Sequence, residues 1–185
     1  MANALIPLAN GFEDIEAVTI VDVLRRGGVD VVTASLNDAR EVQSAHGVRM
    51  TADRLFADVA EESFDAIILP GGGEGTENLK RSDALLAALR RQSEAKRLLC
   101  AICAAPIVLV QAGALADGIH VTCYPTCQME LDREWSPAPV VADSNVITGQ
   151  APGSAMLFAL VVLQVLAGPS IAKKVARGLV TDVLD

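Results

Sequence analysis

The stretch LLCAICAAP, Leu98 to Pro106, decides the fold. Leu98 to Ile102 is an unbroken apolar run of strand length, and Ala104 to Gln111 continues as an apolar segment of helical character. A strand that is apolar on both faces and passes straight into a helix belongs to a parallel sheet covered on both sides. Cys103 stands at the join.

The same alternation extends in both directions. Ala4 to Ala9 reads as a strand ended by Asn10-Gly11, and Glu13 to Arg26 as a helix with acids at its start and arginines before Gly27-Gly28. That charge order suits the helix dipole. Val29 to Ala34 and Asp65 to Leu69 read as further strands, Glu41 to Thr51 as a hairpin or excursion, and Ser82 to Glu94 as an amphipathic helix. Val140 to Ala142 and Asn145 to Thr148 form a late strand pair, and helices follow near Pro152 and Pro169. The expected architecture is α/β, a doubly wound, mostly parallel sheet with helices on both faces. With no repeat or linker, residues 1–185 are expected to form a single domain.

Composition narrows the function. The formal net charge of −8 speaks against general nucleic-acid binding, which needs clustered Lys and Arg. The longest apolar stretch, Ala155 to Ala167, is shorter than the ~20 residues of a membrane span and contains Gln164, so no membrane segment is expected. Four cysteines without a secretion signal point to free thiols and a cytoplasmic address.

In open α/β sheets ligands bind beyond the carboxyl ends of the strands, where Cys103 is expected. Ala101-Ile102-Cys103-Ala104-Ala105 has the small-x-nucleophile-x-small pattern of a nucleophile elbow. A helix N-terminus beneath the sulfur is expected to lower its pKa. Beside this reading stands a buried structural cysteine, as free Cys commonly is. Cys100-x-x-Cys103 with Cys123 and Cys127 has a zinc-like spacing, but Cys100 lies within a strand and is expected to point to the opposite face from Cys103. No metal and no cofactor are expected.

Partners for the thiol follow from position. Only two histidines exist, His46 and His120, and the latter reads as a half-buried strand residue. Glu13 and Asp14 read as helix-start charges. Glu16, one turn in and flanked by Ile15, Ala17 and Val18, is expected to be partly buried, with its pKa raised, and able to share a proton with Cys103. The glycines of LPGGGEGTENL, Leu69 to Leu79, lack the phosphate-loop pattern. They leave the amides of Gly72 and Ala104 as candidate oxyanion donors.

Taken together, GFEDIEAVTIVDVLRRGGVDV, ILPGGGEGTENL, AICAAP and TGQAPGSAMLFAL resemble the ThiJ/PfpI superfamily, most closely its small YajL-like branch of the parkinsonism-associated deglycase type. The resemblance spans nearly the whole chain. It implies a flavodoxin-like sandwich and a homodimer with the first helix in the interface. It also implies Cys103 as the reactive cysteine, Glu16 as its protonated partner, and Gly72 and Ala104 as amide donors. His46, Tyr124 and Pro152 complete the expected pocket. The implied activity is cofactor-free processing of dicarbonyls or their early glycation adducts, with a redox-sensing or chaperone-like role as the alternative. Two positions depart from the family: Tyr124-Pro125 replaces a histidine before proline, and His46 stands where arginine is usual. The first speaks against a Cys–His protease.

Overall fold

The structure, a computed structural model, describes residues 1–132 and 134–184. Its strands are β1 (Asn3–Leu8), β2 (Asp30–Ser35), β3 (Glu41–Gln43), β4 (Arg49–Thr51), β5 (Arg54–Leu55), β6 (Ala66–Leu69), β7 (Leu98–Ile102), β8 (Val140–Asp143) and β9 (Val146–Gly149). The helices are α1 (Asp14–Arg26), α2 (Phe56–Val59), α3 (Gly73–Lys80), α4 (Asp83–Glu94), α5 (Pro106–Gln111), α6 (Ala155–Ala167) and α7 (Pro169–Gly178).

A seven-stranded sheet runs β5-β2-β1-β6-β7-β9-β8, parallel except for the β8–β9 pair, while β3 and β4 form a separate antiparallel hairpin. The central order β2-β1-β6-β7-β9 is that of the flavodoxin-like sandwich. Successive residues of β1 serve opposite faces, as strand geometry dictates. Ala4, Ile6 and Leu8 join a core with α1, α6 and α7, while Leu5 joins one with α2, α4 and α5. The chain leaves β1 toward β2 on one side and later takes up β6 on the other. This reversal opens a crevice at the carboxyl ends of β1 and β6, the position where such sheets bind ligands.

Several local expectations are corrected. Gly73–Lys80, for which the sequence predicts no element, is a helix, because the unusual backbone is confined to Gly72, whose φ is 96°. The short β5 and α2 also follow the hairpin, where no element was expected. His120 is not a half-buried strand residue: its ring is 58% exposed and its Nδ1 lies 3.1 Å from Asp143 Oδ2. The apolar stretch at 155–167 is α6, packed against α1, and among the described residues no helix is long and apolar enough to cross a membrane.

Candidate active site

Cys103 is the first residue after β7, and its φ of 64° puts it in the left-handed region that side chains rarely adopt. Its backbone is held from both sides. The Cys103 amide donates to the Gly149 carbonyl at 2.9 Å, and the Tyr124 amide donates to the Cys103 carbonyl at 2.7 Å. This turn ends the strand's alternation, so Cys103 packs in the same core as Cys100 and Ile102 and not on the opposite face from Cys100. The sulfur-bearing residue remains only 8% exposed.

Glu16 approaches from α1. Glu13 caps that helix by accepting the Glu16 amide at 2.8 Å, which orients the first turn. The Glu16 side chain is fully buried, beyond the partial burial expected from its apolar flanks. Its Oε2 accepts the Gly71 amide at 2.7 Å, and its Oε1 is buried without a partner of ordinary hydrogen-bond geometry. The Cys103 thiol is the neighbour that interacts with this carboxyl. Burial, chiefly, and the nearby Glu13 push the Glu16 carboxyl up to about 7, against the pull of the Gly71 amide.

Sequence reasoning missed Gly71. A Cβ there would lie 2.7 Å from Cys103 Cβ and 2.9 Å from Glu16 Oε2, so only glycine lets the two side chains meet. The signal lies in the run Gly71-Gly72-Gly73, whose first member makes room for side chains while the second supplies an amide.

The amides of Gly72 and Ala104 both act on the Cys103 sulfur and pull its pKa down. Burial, first, and the Glu16 carboxylate, second, outweigh them and push the thiol up to about 12. The expected lowering by a helix N-terminus is therefore corrected. The six-residue α5 starts only at Pro106, leaving Cys103 in the preceding turn. Thiol and carboxyl are coupled. With Glu16 ionised the thiol keeps its proton; with Glu16 protonated the charge that opposes the thiolate is gone.

The structure thus brings Cys103, Glu16, Gly72 and Ala104 together, with Tyr124 joined through its backbone. Pro152 opens the short 3-10 turn after β9, whose last residue, Gly149, binds Cys103. The Tyr124 side chain is 41% exposed. His46 does not join them: its ring is 73% exposed and its Nδ1 lies 2.8 Å from Asp14 Oδ2. Glu13, Asp14 and His46 do place ligand-type atoms within 4.8 Å of one another, but these atoms already cap α1 and tie the hairpin to it. All four cysteines are free thiols. A cavity of about 280 Å³ at the opposite end of the sheet is lined by no cysteine or histidine, and its buried Gln92 amide is spent on the Phe64 and Leu98 carbonyls.

A flavodoxin-like sheet with a cysteine on a strained turn beside a buried carboxyl defines a class, and comparison with known proteins narrows it. Residues 2–165 match the DJ-1/PfpI family, and the chain belongs to that family. It is 39% identical over 180 residues to Protein dj-1beta of Drosophila melanogaster, covering 96% of each chain. It is 36% identical over 160 residues to the "Glutathione-independent glyoxalase DJR-1.2" of Caenorhabditis elegans, covering 85% of this chain and 84% of that one. It spans 41% of the length of Protein DJ-1 homolog B of Arabidopsis thaliana, at 38% identity. The solved structure of oxidized Toxoplasma gondii DJ-1 superposes with a TM-score of 0.93 at 38% identity, covering 98% of this chain and 99% of that one.

Proposed function

We propose that this protein is a cofactor-free cysteine enzyme that converts reactive dicarbonyls, or their early glycation adducts, in protection against carbonyl and oxidative stress. The observation that carries this reading is the buried Glu16 carboxyl set against the Cys103 thiol. The naming of a relative as a glyoxalase supports it.

With the pair's proton on Glu16, the Cys103 thiolate attacks the aldehyde carbon. The carbonyl π pair moves to oxygen, which takes the Glu16 proton, leaving a hemithioacetal and a Glu16 carboxylate. The Gly72 and Ala104 amides, freed as the sulfur loses its charge, turn to the new oxygen. Glu16 then removes the proton from the former aldehyde carbon and returns it to the adjacent carbon, while the hemithioacetal hydroxyl proton passes to the oxygen on that adjacent carbon, converting the hemithioacetal into a thioester of a 2-hydroxy acid. Water cleaves the thioester, releasing the hydroxy acid and the thiol. Oxidation of one carbon and reduction of its neighbour cancel, so no external redox partner is needed. Consumption of methylglyoxal by pure protein, lost in Cys103→Ser, tests the reading.

In the same reading the protein is a cytoplasmic homodimer. Ile15 and Val18 support the dimer: they lie one turn apart on α1, outside its buried stripe, and are 58% and 52% exposed. A second reading, a redox-sensing or chaperone-like stress protein, draws support from the relative whose structure is of an oxidized form. The two separate on turnover, since a sensor uses each thiol once.

A further inference from the structure

The residues of the thiol's cradle, and those hydrogen-bonded to it, carry an unbalanced charge. They come from the β1–α1 turn and the first turn of α1, the hairpin tip, the glycine segment 70–76, the Cys103 turn, the chain around Tyr124 and the turn at Pro152. Besides Glu16, which shares its proton with the thiol, the acidic side chains of these segments are Glu13, Asp14 and Glu74, and the one that can become cationic is His46. His46 is occupied: Asp14 lies against it at 2.8 Å.

Glu13 packs on the thiol's own cradle. Its amide donates to the Gly71 carbonyl at 3.0 Å, and its side chain is 8% exposed. Glu74 stands at the start of α3, exposed, and among the described residues it has neither an ion pair nor a hydrogen bond from its side chain. With Asn10, Gly11, Gln43 and Ser44 it lines a polar cavity of about 230 Å³. Gly11 connects that cavity to the site, for its carbonyl accepts the Gly75 amide at 3.1 Å and lies where a Cβ on Gly72 would be. The lysine closest in sequence to Glu74, Lys80, is already held by Glu77 at 2.9 Å and Glu130 at 3.5 Å.

From this arrangement we infer that the site selects its substrate by charge. It admits neutral carbonyl compounds and cationic ones, such as dicarbonyl adducts on amines and guanidines, and turns away anionic 2-oxo acids. Asp14 and Glu74 are specificity-determining residues, with Glu74 offering its carboxylate to the ammonium or guanidinium group. The physical basis is the field of like charges in a partly desolvated cleft, which changes the local concentration of a charged reactant. The substrate assignment rests on the proposed function, but the charge selection is a property of the thiol's surroundings and is measurable without turnover.

The test is the rate at which Cys103 reacts with methanethiosulfonate reagents bearing an ammonium or a sulfonate group, read by peptide mapping. Each rate is divided by that of 2-mercaptoethanol, a neutral thiol. After this division the cationic reagent is expected to be favoured over the anionic one at Cys103 by about tenfold at low salt, and this preference is expected to shrink when salt shortens the screening length from roughly 14 Å to about 4 Å. The double variant Asp14→Asn/Glu74→Gln is expected to lose most of the preference. The remote pair Glu61→Gln/Glu94→Gln, equal in net charge change, is expected to keep it. A preference equal to that of 2-mercaptoethanol, or a loss as large in the remote pair as in the rim pair, overturns the inference. A companion comparison of methylglyoxal with glyoxylate separates it from the proposed function. Turnover of neither compound removes the enzyme reading and leaves the thiol result standing, whereas equal turnover of both removes charge selection alone.

Discussion

The Gly71 amide donates to Glu16 Oε2 at 2.7 Å across 55 positions of sequence, tying the first turn of α1 to the loop after β6 beneath the Cys103 side chain. This bond fixes the carboxyl where burial raises its pKa and where the thiol is its neighbour. The chemistry proposed for the site depends on that placement.

Replacing Gly71 with alanine is expected to break it sterically. The added methyl group would meet Cys103 Cβ at 2.7 Å and Glu16 Oε2 at 2.9 Å. Overpacking of this kind costs about 1–3 kcal/mol. Urea unfolding should show that loss together with slower alkylation of Cys103. Parent-like values for both would mean that the pocket is loose.

Stability should vary with pH through Glu16. Its carboxyl is raised from 4.5 to about 7, chiefly by burial, so the fold prefers the protonated form. That contribution is full below about pH 4.5 and is lost as pH rises through about 7, with a size on the order of 3 kcal/mol. Glu16→Gln, which cannot ionise, should therefore gain stability relative to the parent between these pH values. Urea midpoints at several pH values check the sign, and a constant difference would place the carboxyl in an ordinary environment.

Much of this was legible in the sequence, for identifiable reasons. The strands around Leu98–Ile102 and Ala66–Leu69 are apolar on both faces, and α1 begins and ends with the charges its dipole prefers. Glu16 stands out in the sequence through its apolar flanks Ile15, Ala17 and Val18, yet Ile15 and Val18 are exposed, and its burial comes from the helix phase it shares with Ile20 and Val23. Other features depend on tertiary structure that pattern does not encode. Three consecutive glycines hid α3, since Gly73 and Gly75 are helical while Gly72 alone needs a positive φ. The common core of Cys100 and Cys103 arises from one left-handed residue, which alternation cannot anticipate. The rise in the Cys103 pKa required knowing that burial and a carboxylate outweigh two amides.

Among the thiols, Cys103 should be alkylated first near neutral pH and oxidised first by peroxide, although Cys127 is the more exposed. Burial raises the pKa of both Cys103 and Cys100, but in the proposed mechanism only Cys103 can pass its proton to a neighbouring carboxyl, Glu16. Peptide mapping after limited treatment decides the order. Modification of Cys127 ahead of Cys103 would remove the case for an activated thiol.

Assembly offers a separate check. The homodimer should appear in light scattering at micromolar concentration, and Val18→Asp should shift it toward monomer by placing a charge on the exposed apolar face of α1. A parent protein that is monomeric would show that Ile15 and Val18 serve no self-association.

Glu16→Gln is expected to lower dicarbonyl turnover by about 10²–10⁴-fold while Cys103 remains alkylatable, because the amide retains shape but cannot move a proton. Glu13→Gln keeps an oxygen to accept the Glu16 amide, so it should leave turnover within a few-fold of the parent. Equal losses in both would assign the effect to disruption of α1.

The central claim is that the Cys103–Glu16 pair turns over a dicarbonyl. Its most direct test is to incubate pure protein with excess methylglyoxal and follow aldehyde loss and hydroxy-acid formation together by proton NMR. The account predicts many equivalents of lactate per protomer, matching the methylglyoxal consumed, and none with Cys103→Ser. Aldehyde loss that stops near one equivalent per thiol, with no lactate formed, would contradict it.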